Sequence, residues 1–307
     1  MSRPGGKPST IEISEGVFAY VQPDGSWWLN NAGFIVGRRG VTSIDTCATE
    51  ARTRAYQAAI RGVTSQPVRT IVNTHHHGDH TFGNYLFHDA TIVGHYLVRP
   101  EMESFGHPAD LPFWTPVDWG AIELEPPTLT YTDRVTIWSD ELACGVAYVG
   151  RPAHTTNDSI VWIPERSVLF AGDLLFNGGT PFLLMGSVRG SIEVLEDVVE
   201  PLDATTIVPG HGDICGPEVI DDVLAYLYFV QSIARAGRAA GLSPLETALD
   251  TDLGEYAGLT DPERIVGNLH RAYAELEGAP EGTPLDIHTI LGEMVAYTKG
   301  QRLRTFA

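Results

Sequence analysis

The run Asn73-Thr74-His75-His76-His77-Gly78-Asp79-His80 follows directly on the stretch Val68 to Val72. Four side chains able to bind a metal, His75, His77, Asp79 and His80, fall within six residues. The preceding residues have the β-branched, apolar character of a strand, so the histidines come where a strand ends. Alternate side chains of an extended backbone share a side, which sends His75 and His77 the same way. Asp79 and His80 lie just beyond, where a helix can begin, and one loop can therefore serve two neighbouring ions. A lone histidine is better explained as a hydrogen-bonded or surface residue, but this whole pattern is not. Imidazole and carboxylate suit zinc, with iron or manganese as alternatives, and zinc is the expectation.

Upstream, short β-rich runs at Val17 to Val21, Gly33 to Val36 and Ser43 to Ile44 are separated by Asp24-Gly25 and Arg38-Arg39-Gly40, which predicts hairpin-linked strands. Thr46 to Arg61 is Ala-rich with spaced apolar positions and reads as a helix. Pro100 to Trp119 carries Phe105, Phe113, Trp114 and Trp119 among prolines and reads as a long surface loop, of the kind that often serves as a lid. Strands are expected again at Thr128 to Trp138, Leu142 to Val149, Ser159 to Ile163, Val168 to Ala171 and Thr206 to Val208. The last of these runs into Pro209-Gly210-His211, so it delivers a histidine as Ile71-Val72 does. From Pro217 the pattern turns helical, over Glu218 to Ala239, Pro244 to Leu249, Asp261 to Leu276 and Asp286 to Tyr297. The expected organisation is a disordered tail over 1–10, a catalytic domain over 11–216, and a helical region over 217–307 packed on that same domain.

Composition narrows the function. The 307 residues include 39 acidic and 20 basic side chains, a net charge of -19 with no basic run, which argues against nucleic acid as a partner. No stretch approaches the roughly 20 apolar residues of a membrane-spanning helix, and no apolar leader follows Met1 to Thr10. Cys47, Cys144 and Cys215 are odd in number and never spaced as a zinc knuckle or disulfide framework. A cytoplasmic protein without membrane contact is the expectation. There is no Gly-x-Ser-x-Gly elbow and no cysteine beside a histidine partner, so side-chain nucleophilic catalysis has no support.

The H-x-H-x-D-H motif resembles that of the metallo-β-lactamase superfamily. The resemblance implies an α+β fold, a four-layer αββα sandwich here followed by a C-terminal helical appendage. It also implies further ligands after later strands. His154 in Pro152-Ala153-His154, Asp173 in Ala171-Gly172-Asp173 and His211 in Pro209-Gly210-His211 match those positions in order. By analogy one metal takes His75, His77 and His154, a second takes Asp79, His80 and His211, and Asp173 bridges them. Asp79 and Asp173 are the carboxylates expected to act in catalysis as well. Asp45 resembles an early Asp that supports the histidine loop from behind. The di-iron members usually carry Glu at the position of His77 and are fused to flavin domains, which favours two Zn2+ per chain. His76, His88, His95, His107, His270 and His288 fall outside the ligand pattern. Two ions about 3.5–4 Å apart can polarise a carbonyl and activate water, bringing its pKa down to about 7.

Within the superfamily, the expected cytoplasmic location sets the lactamases aside. The acidic charge sets the nucleases aside, and the glutathione-binding pattern of glyoxalase II-like thioesterases is not evident. The chain more closely resembles the second-ring cyclases and thioesterases of bacterial aromatic polyketide antibiotic biosynthesis. The segments that carry this are Trp28 with Asn31-Ala32-Gly33, Asn73 to Asn84, Val117-Asp118-Trp119-Gly120 with Ile122-Glu123-Leu124, Thr180-Pro181-Phe182 with Gly186-Ser187-Val188, Gly216 to Ile220, and Asn268-Leu269-His270-Arg271-Ala272. This resemblance implies a polyketide cyclase with thioesterase activity, acting on a small molecule that an acyl carrier protein can present. Trp27, Trp28, Phe113, Trp114, Trp119, Phe182, Leu183 and Met185 would wall its pocket. An acidic carrier needs a basic patch, for which Arg38, Arg39, Arg99 and Arg189 are the candidates. The alternative is a general thioesterase or lactonase, and a metal-free binding protein is a third reading that the intact ligand set opposes. The helical region can also serve a homodimer.

Overall fold

The computed structural model describes residues 6–106 and 112–307. His107, and Met1 to Gly5 of the expected tail, lie outside the described residues. Hairpin signals at the start of the chain produce four antiparallel strands, β1 (Ser9–Ser14), β2 (Val17–Val21), β3 (Ala32–Gly37) and β4 (Gly40–Ile44). Three parallel strands complete this sheet, β5 (Val68–Val72), β6 (Thr91–His95) and β7 (Leu129–Tyr131), giving the order β1 to β7. The second sheet contains β8 (Arg134–Ser139), β9 (Leu142–Tyr148), β10 (Ser159–Ile163), β11 (Val168–Asn177) and β12 (Thr206–Gly212), in the order β12-β11-β10-β9-β8. Only β11 and β12 pair in parallel there.

Side-chain alternation divides the core into layers. On β2, Val17, Ala19 and Val21 join the cluster between the sheets, while Phe18 and Tyr20 face the opposite layer. That outer layer is closed by Tyr56 and Ile60 of α1 (Glu50–Val63). On β11, Val168 and Phe170 face inward, whereas Leu169 and Ala171 meet the helices on the far side. Those helices include α4 (Val188–Val194), α5 (Glu218–Ala239), α6 (Pro244–Asp250), α7 (Arg264–Leu276) and α8 (Ile287–Tyr297). The result is the αββα sandwich with C-terminal helices. Gly33 is required where the sheets meet, because a Cβ there would lie 2.1 Å from the Phe170 ring. Two helices precede β7 besides α1, namely α2 (Gly78–Thr81) and α3 (Val98–Phe105). No helix among the described residues is long and apolar enough to cross a membrane.

Several expectations need correction. Ser9 and Thr10 are not tail but pair with Val21 and Tyr20, since their backbone groups complete the edge of the sheet. Thr128 to Trp138 is not one strand. Thr132 and Asp133 bend the chain between β7 and β8, which belong to different sheets. The helix expected from Thr46 begins at Glu50, where the Thr49 hydroxyl accepts from the Arg52 N–H at 3.3 Å. Pro100 to Phe105 belongs to α3 rather than to a loop, because a proline in the first helical turn needs no N–H partner. Trp114 is buried at 7% exposure and pairs through its backbone with Leu303, so that segment is anchored by the C-terminus. Strand β6 and helix α4 are further elements beyond those expected from the sequence.

Phe34 is fully buried and stacks on Phe18 at 4.8 Å, whereas Trp138 is 64% exposed. Phe34→Ala should cost about 3–5 kcal/mol and Trp138→Ala about 0.5 kcal/mol or less. Denaturant unfolding of the metal-loaded protein checks this, and equal costs would contradict the layer assignment.

Candidate metal centre

The site forms where strands of both sheets end. Strand β4 leads into Asp45, β5 into the histidine loop and α2, the β9–β10 connection carries His154, and β11 and β12 carry Asp173 and His211. Chain order thus becomes convergence in space. His75, His77, His154 and Asp173 form one group whose ligand atoms all lie within 4.8 Å of one another, and Asp79, His80 and His211 form a second. Asp173 reaches both groups. Its Oδ2 is 3.3 Å from His154 Nε2, 3.2 Å from His211 Nε2 and 3.9 Å from His75 Nε2, and its Oδ1 is 2.9 Å from His80 Nε2. Asp79 Oδ2 lies 3.3 Å from His211 Nε2. The structure therefore brings together all seven residues proposed as ligands.

The donor set fits metal ions. His154 Nε2 and His77 Nδ1 approach to 2.8 Å, each turned to the same centre. Among the described residues, His75 Nε2 is buried without a hydrogen-bond partner, and His80 Nε2 and Asp173 Oδ1 have only each other, 2.9 Å apart without a well-aligned bond. Buried polar atoms are normally well paired, so atoms left this poorly satisfied at one point mark a missing charge. Four of the five outward ring nitrogens are engaged by oxygen, while His77 Nε2 lies 3.1 Å from Met185 Sδ. His75 Nδ1 lies 3.1 Å from Thr74 Oγ1, His80 Nδ1 2.7 Å from Asp45 Oδ2, His154 Nδ1 2.5 Å from Phe182 O, and His211 Nδ1 3.1 Å from Gly25 O. Such partners fix the ring and raise its basicity toward a metal.

Asp45 plays the supporting part expected of it, since it also accepts from the Thr74 N–H at 2.8 Å and the Thr74 hydroxyl at 2.7 Å. Sequence reading missed other supports. Asn31 donates to Pro209 O at 2.9 Å and Gly212 O at 2.7 Å, holding the His211 turn. Asp158 accepts from the Thr155 N–H and hydroxyl, both at 2.7 Å, holding the His154 turn. Both are buried; Asp158 follows His154 closely in the chain, a signal the sequence offered, whereas Asn31 is distant from His211 in sequence and offered none. Gly210 has no alternative, because a Cβ there would lie 1.9 Å from Asp173 Oδ1.

Electrostatics match this design. Burial pushes His75 and His77 well below the ordinary imidazole range, and the neighbouring histidines push the same way. Burial also opposes charge on His80 and His211, but the surrounding carboxylates outweigh it. His80 is raised well above its usual value, by Asp173 first, and His211 to about 9 by Asp173 and Asp79. Burial would raise Asp173, yet His211, His80 and His154 hold it well below the carboxylate range. At pH 7 the metal-free centre therefore keeps protons on His80 and His211, which a metal must expel.

Above the ligands lies an apolar pocket. Trp27, Trp28, Phe105, Trp114, Phe182 and Met185 line it together with His77, Asp79, His154, Asp173 and His211. The loop carrying Phe182 is tied to α7, where Asn268 accepts from Leu183 N at 2.9 Å and donates to Pro181 O at 2.8 Å. Arg264 of the same helix also lines the pocket and was not foreseen, since one arginine in a helix has no sequence signature. Phe113 and Trp119 pack around the pocket's cluster without lining it, and Leu183 is buried behind it. His95 stacks on Tyr148 at 4.0 Å, and His270 pairs with Glu293 at 2.7 Å, so neither joins the centre.

Fold and site together define a metallohydrolase with two metal positions. The family described as the metallo-beta-lactamase superfamily matches residues 25–211, and the chain belongs to it. Similar proteins include a metallo-beta-lactamase type 2 of Bacteroides fragilis, 25% identical over 69% of this chain and 82% of its own length. A hydroxyacylglutathione hydrolase of Rhodospirillum rubrum is 29% identical over 56% of this chain, which spans 57% of that protein. Among solved structures, a metallo-beta-lactamase from Pontibacter korlensis superposes with a TM-score of 0.61 at 18% identity, covering 72% of this chain and 99% of that one. That last likeness is one of fold.

Two outcomes follow. Zinc binding to metal-free protein at pH 7 should release protons, seen by calorimetry as a binding heat that varies with the buffer's ionisation heat; a buffer-independent heat would contradict the raised values of His80 and His211. Asp45→Asn should lower zinc affinity by about 10–100-fold in a chelator competition while the fold, followed by circular dichroism, persists.

Proposed function

We propose that this metallohydrolase uses two zinc ions to cleave an ester or thioester whose acyl group is a flat, largely apolar ring system. The observation that carries the reading is the stack of an aromatic pocket directly on seven converging ligands, among which the inward nitrogen of His75 is buried and unpartnered. Bound zinc supplies Lewis-acid polarisation of a carbonyl and activates water at neutral pH. The chain's own residues do the rest. The rings of His75, His154, His80 and His211 are held by their outer hydrogen bonds to oxygen, so the two positions are preorganised. Asp173 spans both positions and holds them in register. Asp79 both belongs to the second group and lines the pocket, which places its carboxylate to orient the attacking water and take its proton. The aromatic wall excludes bulk water and aligns a planar acyl group by edge and face contacts.

A narrower version of the same chemistry is ring closure of an aromatic polyketide followed by thioester cleavage. The aromatic wall favours it, as do the segments that resemble second-ring cyclases. Presentation by an acyl carrier protein has less support. Arg38 and Arg39 lie at the β3–β4 turn, at the opposite end of β4 from Asp45, and Arg38 pairs with Asp140. Arg99 pairs with Glu103, and Arg189 with Glu193 and Glu281. With Arg38, Arg99 and Arg189 each paired with a carboxylate, a freely diffusing substrate is the version proposed. The thioesterase or lactonase reading without cyclisation remains the broader form.

Zinc-loaded protein should cleave an aromatic acyl thioester, with His154→Ala or Asp173→Asn reducing turnover at least about 100-fold. Mass spectrometry of the products separates the versions, a free acid marking hydrolysis and a new ring marking cyclisation. Undiminished turnover after metal removal or in His154→Ala would sink the proposal.

A further inference from the structure

One metal ligand is supported differently from the others. The outer nitrogens of His75, His80, His154 and His211 each meet an oxygen, whereas His77 Nε2 meets a thioether, 3.1 Å from Met185 Sδ. His154 Nε2 lies 2.8 Å from His77 Nδ1, so Nδ1 is the nitrogen turned to the metal position. Nε2 is left to carry the proton of the neutral ring. A thioether sulfur is a weak acceptor for that N–H, whereas carbonyl and carboxylate oxygens are strong ones. The first metal position therefore has one ligand without the oxygen partner that fixes an imidazole and raises its basicity.

Among the described residues, Met185 is also the methionine that a solute can reach. Met102 and Met294 are 2% and 0% exposed, while Met185 is half-buried and lines two adjoining cavities. One is the aromatic pocket over the ligands. The other, of about 360 Å³, shares Phe105, Met185 and Ile287 with it and is lined further by Ser104 and His288. Both of these last residues are exposed, so the second cavity opens to bulk water and brings small solutes to the Met185 side chain. The cysteines do not compete for an oxidant. Cys47 and Cys144 are buried, and burial raises the Cys47 thiol well above its usual range and those of Cys144 and Cys215 to about 12, away from the reactive thiolate.

We propose that Met185 is a site of oxidation by hydroperoxides, and that its oxidation state sets how firmly His77 holds the first metal. In the step, the peroxide O–O bond breaks and its terminal oxygen forms an S–O bond at Sδ, while the proton of that oxygen passes to the departing oxygen. The thioether loses two electrons and becomes a sulfoxide, and the hydroperoxide is reduced to an alcohol, or to water where it is hydrogen peroxide. The sulfoxide is polar, and its oxygen accepts hydrogen bonds strongly. Three rotatable bonds let the Met185 side chain draw back so that this oxygen, in place of the sulfur, faces His77 Nε2. His77 then gains the oxygen partner that the other four ligand histidines already have, and with it a more basic ring. The inference rests on the metal position at His75, His77 and His154 and is independent of the substrate.

The test treats full-length, zinc-loaded protein with hydrogen peroxide. Peptide mass spectrometry should find the added oxygen at Met185 at least about 10-fold faster than at Met102 or Met294. Zinc affinity, read in a chelator competition, should rise about 3- to 10-fold on oxidation and return to its starting value after treatment with methionine sulfoxide reductases. Met185→Gln, which brings an amide oxygen on a side chain of similar length, should bind zinc more tightly without peroxide. Met185→Leu, which keeps the apolar volume, should show no peroxide-dependent change in affinity. If either variant fails to fold, oxidation and repair of the wild type decide. Earlier oxidation of Met102 or Met294, an affinity unchanged or lowered by oxidation at Met185, or a peroxide response that persists in Met185→Leu would overturn the proposal. Neither readout involves turnover, so absence of thioesterase activity would strike the functional reading and leave this result standing.

Discussion

One carboxylate holds the molecule's chemistry together. Asp173 lies within 2.9–3.9 Å of ring nitrogens from His75, His80, His154 and His211, which arrive from both sheets, on two connections and on strand β12. A buried anion surrounded by imidazoles is stable only if their charges or bound cations compensate its lost hydration. The rest of the architecture arranges that compensation. The parallel pairing of β11 with β12 brings Asp173 close to His211, and β12 passes so close at Gly210 that there is no room for a side chain. On the other sheet, Asp45 at the end of β4 braces His80 and Thr74, so the histidine loop cannot rotate away.

The C-terminal helices are part of this arrangement rather than an addition to it. Arg271 donates to Leu184 O and Thr283 O, and Asn268 binds both sides of the Pro181 to Leu183 segment. That segment in turn gives Phe182 O to His154. A chain of buried hydrogen bonds thus runs from α7 through the pocket wall to a metal ligand. The segment after α8 closes the structure from the other side, where Thr305 Oγ1 donates to Trp27 O at 2.6 Å. Pocket shape and ligand geometry are consequently set by the same contacts.

The first four metal ligands were legible in the sequence because they depend on local chemistry, whereas the sandwich and the ligands His154, Asp173 and His211 came from the resemblance to the superfamily. H-x-H-x-D-H packs four ligands into one turn of chain, and the strand before it is apolar. The alternation of β2 and the helical period of α5, matched from Glu218 to Ala239, are local signals too. What escaped reading depends on distant partners. Trp114 is drawn into the core by Leu303, nearly two hundred positions away, and the run from Thr128 to Trp138 is divided between two sheets by a bend at Thr132 and Asp133. Arg264 gained its place in the pocket from Thr180 and Asp261, which no periodicity foretells. Asn31 and Asp158 were visible as residues, but their roles exist only once the His211 and His154 turns are folded against them.

The central claim is that two metal positions share Asp173. Diffraction from zinc-loaded crystals at the zinc absorption edge tests it most directly. The account predicts two anomalous peaks, one among His75, His77 and His154 and one among Asp79, His80 and His211, with the Asp173 carboxylate between them. A single peak, or peaks away from these residues, would contradict it.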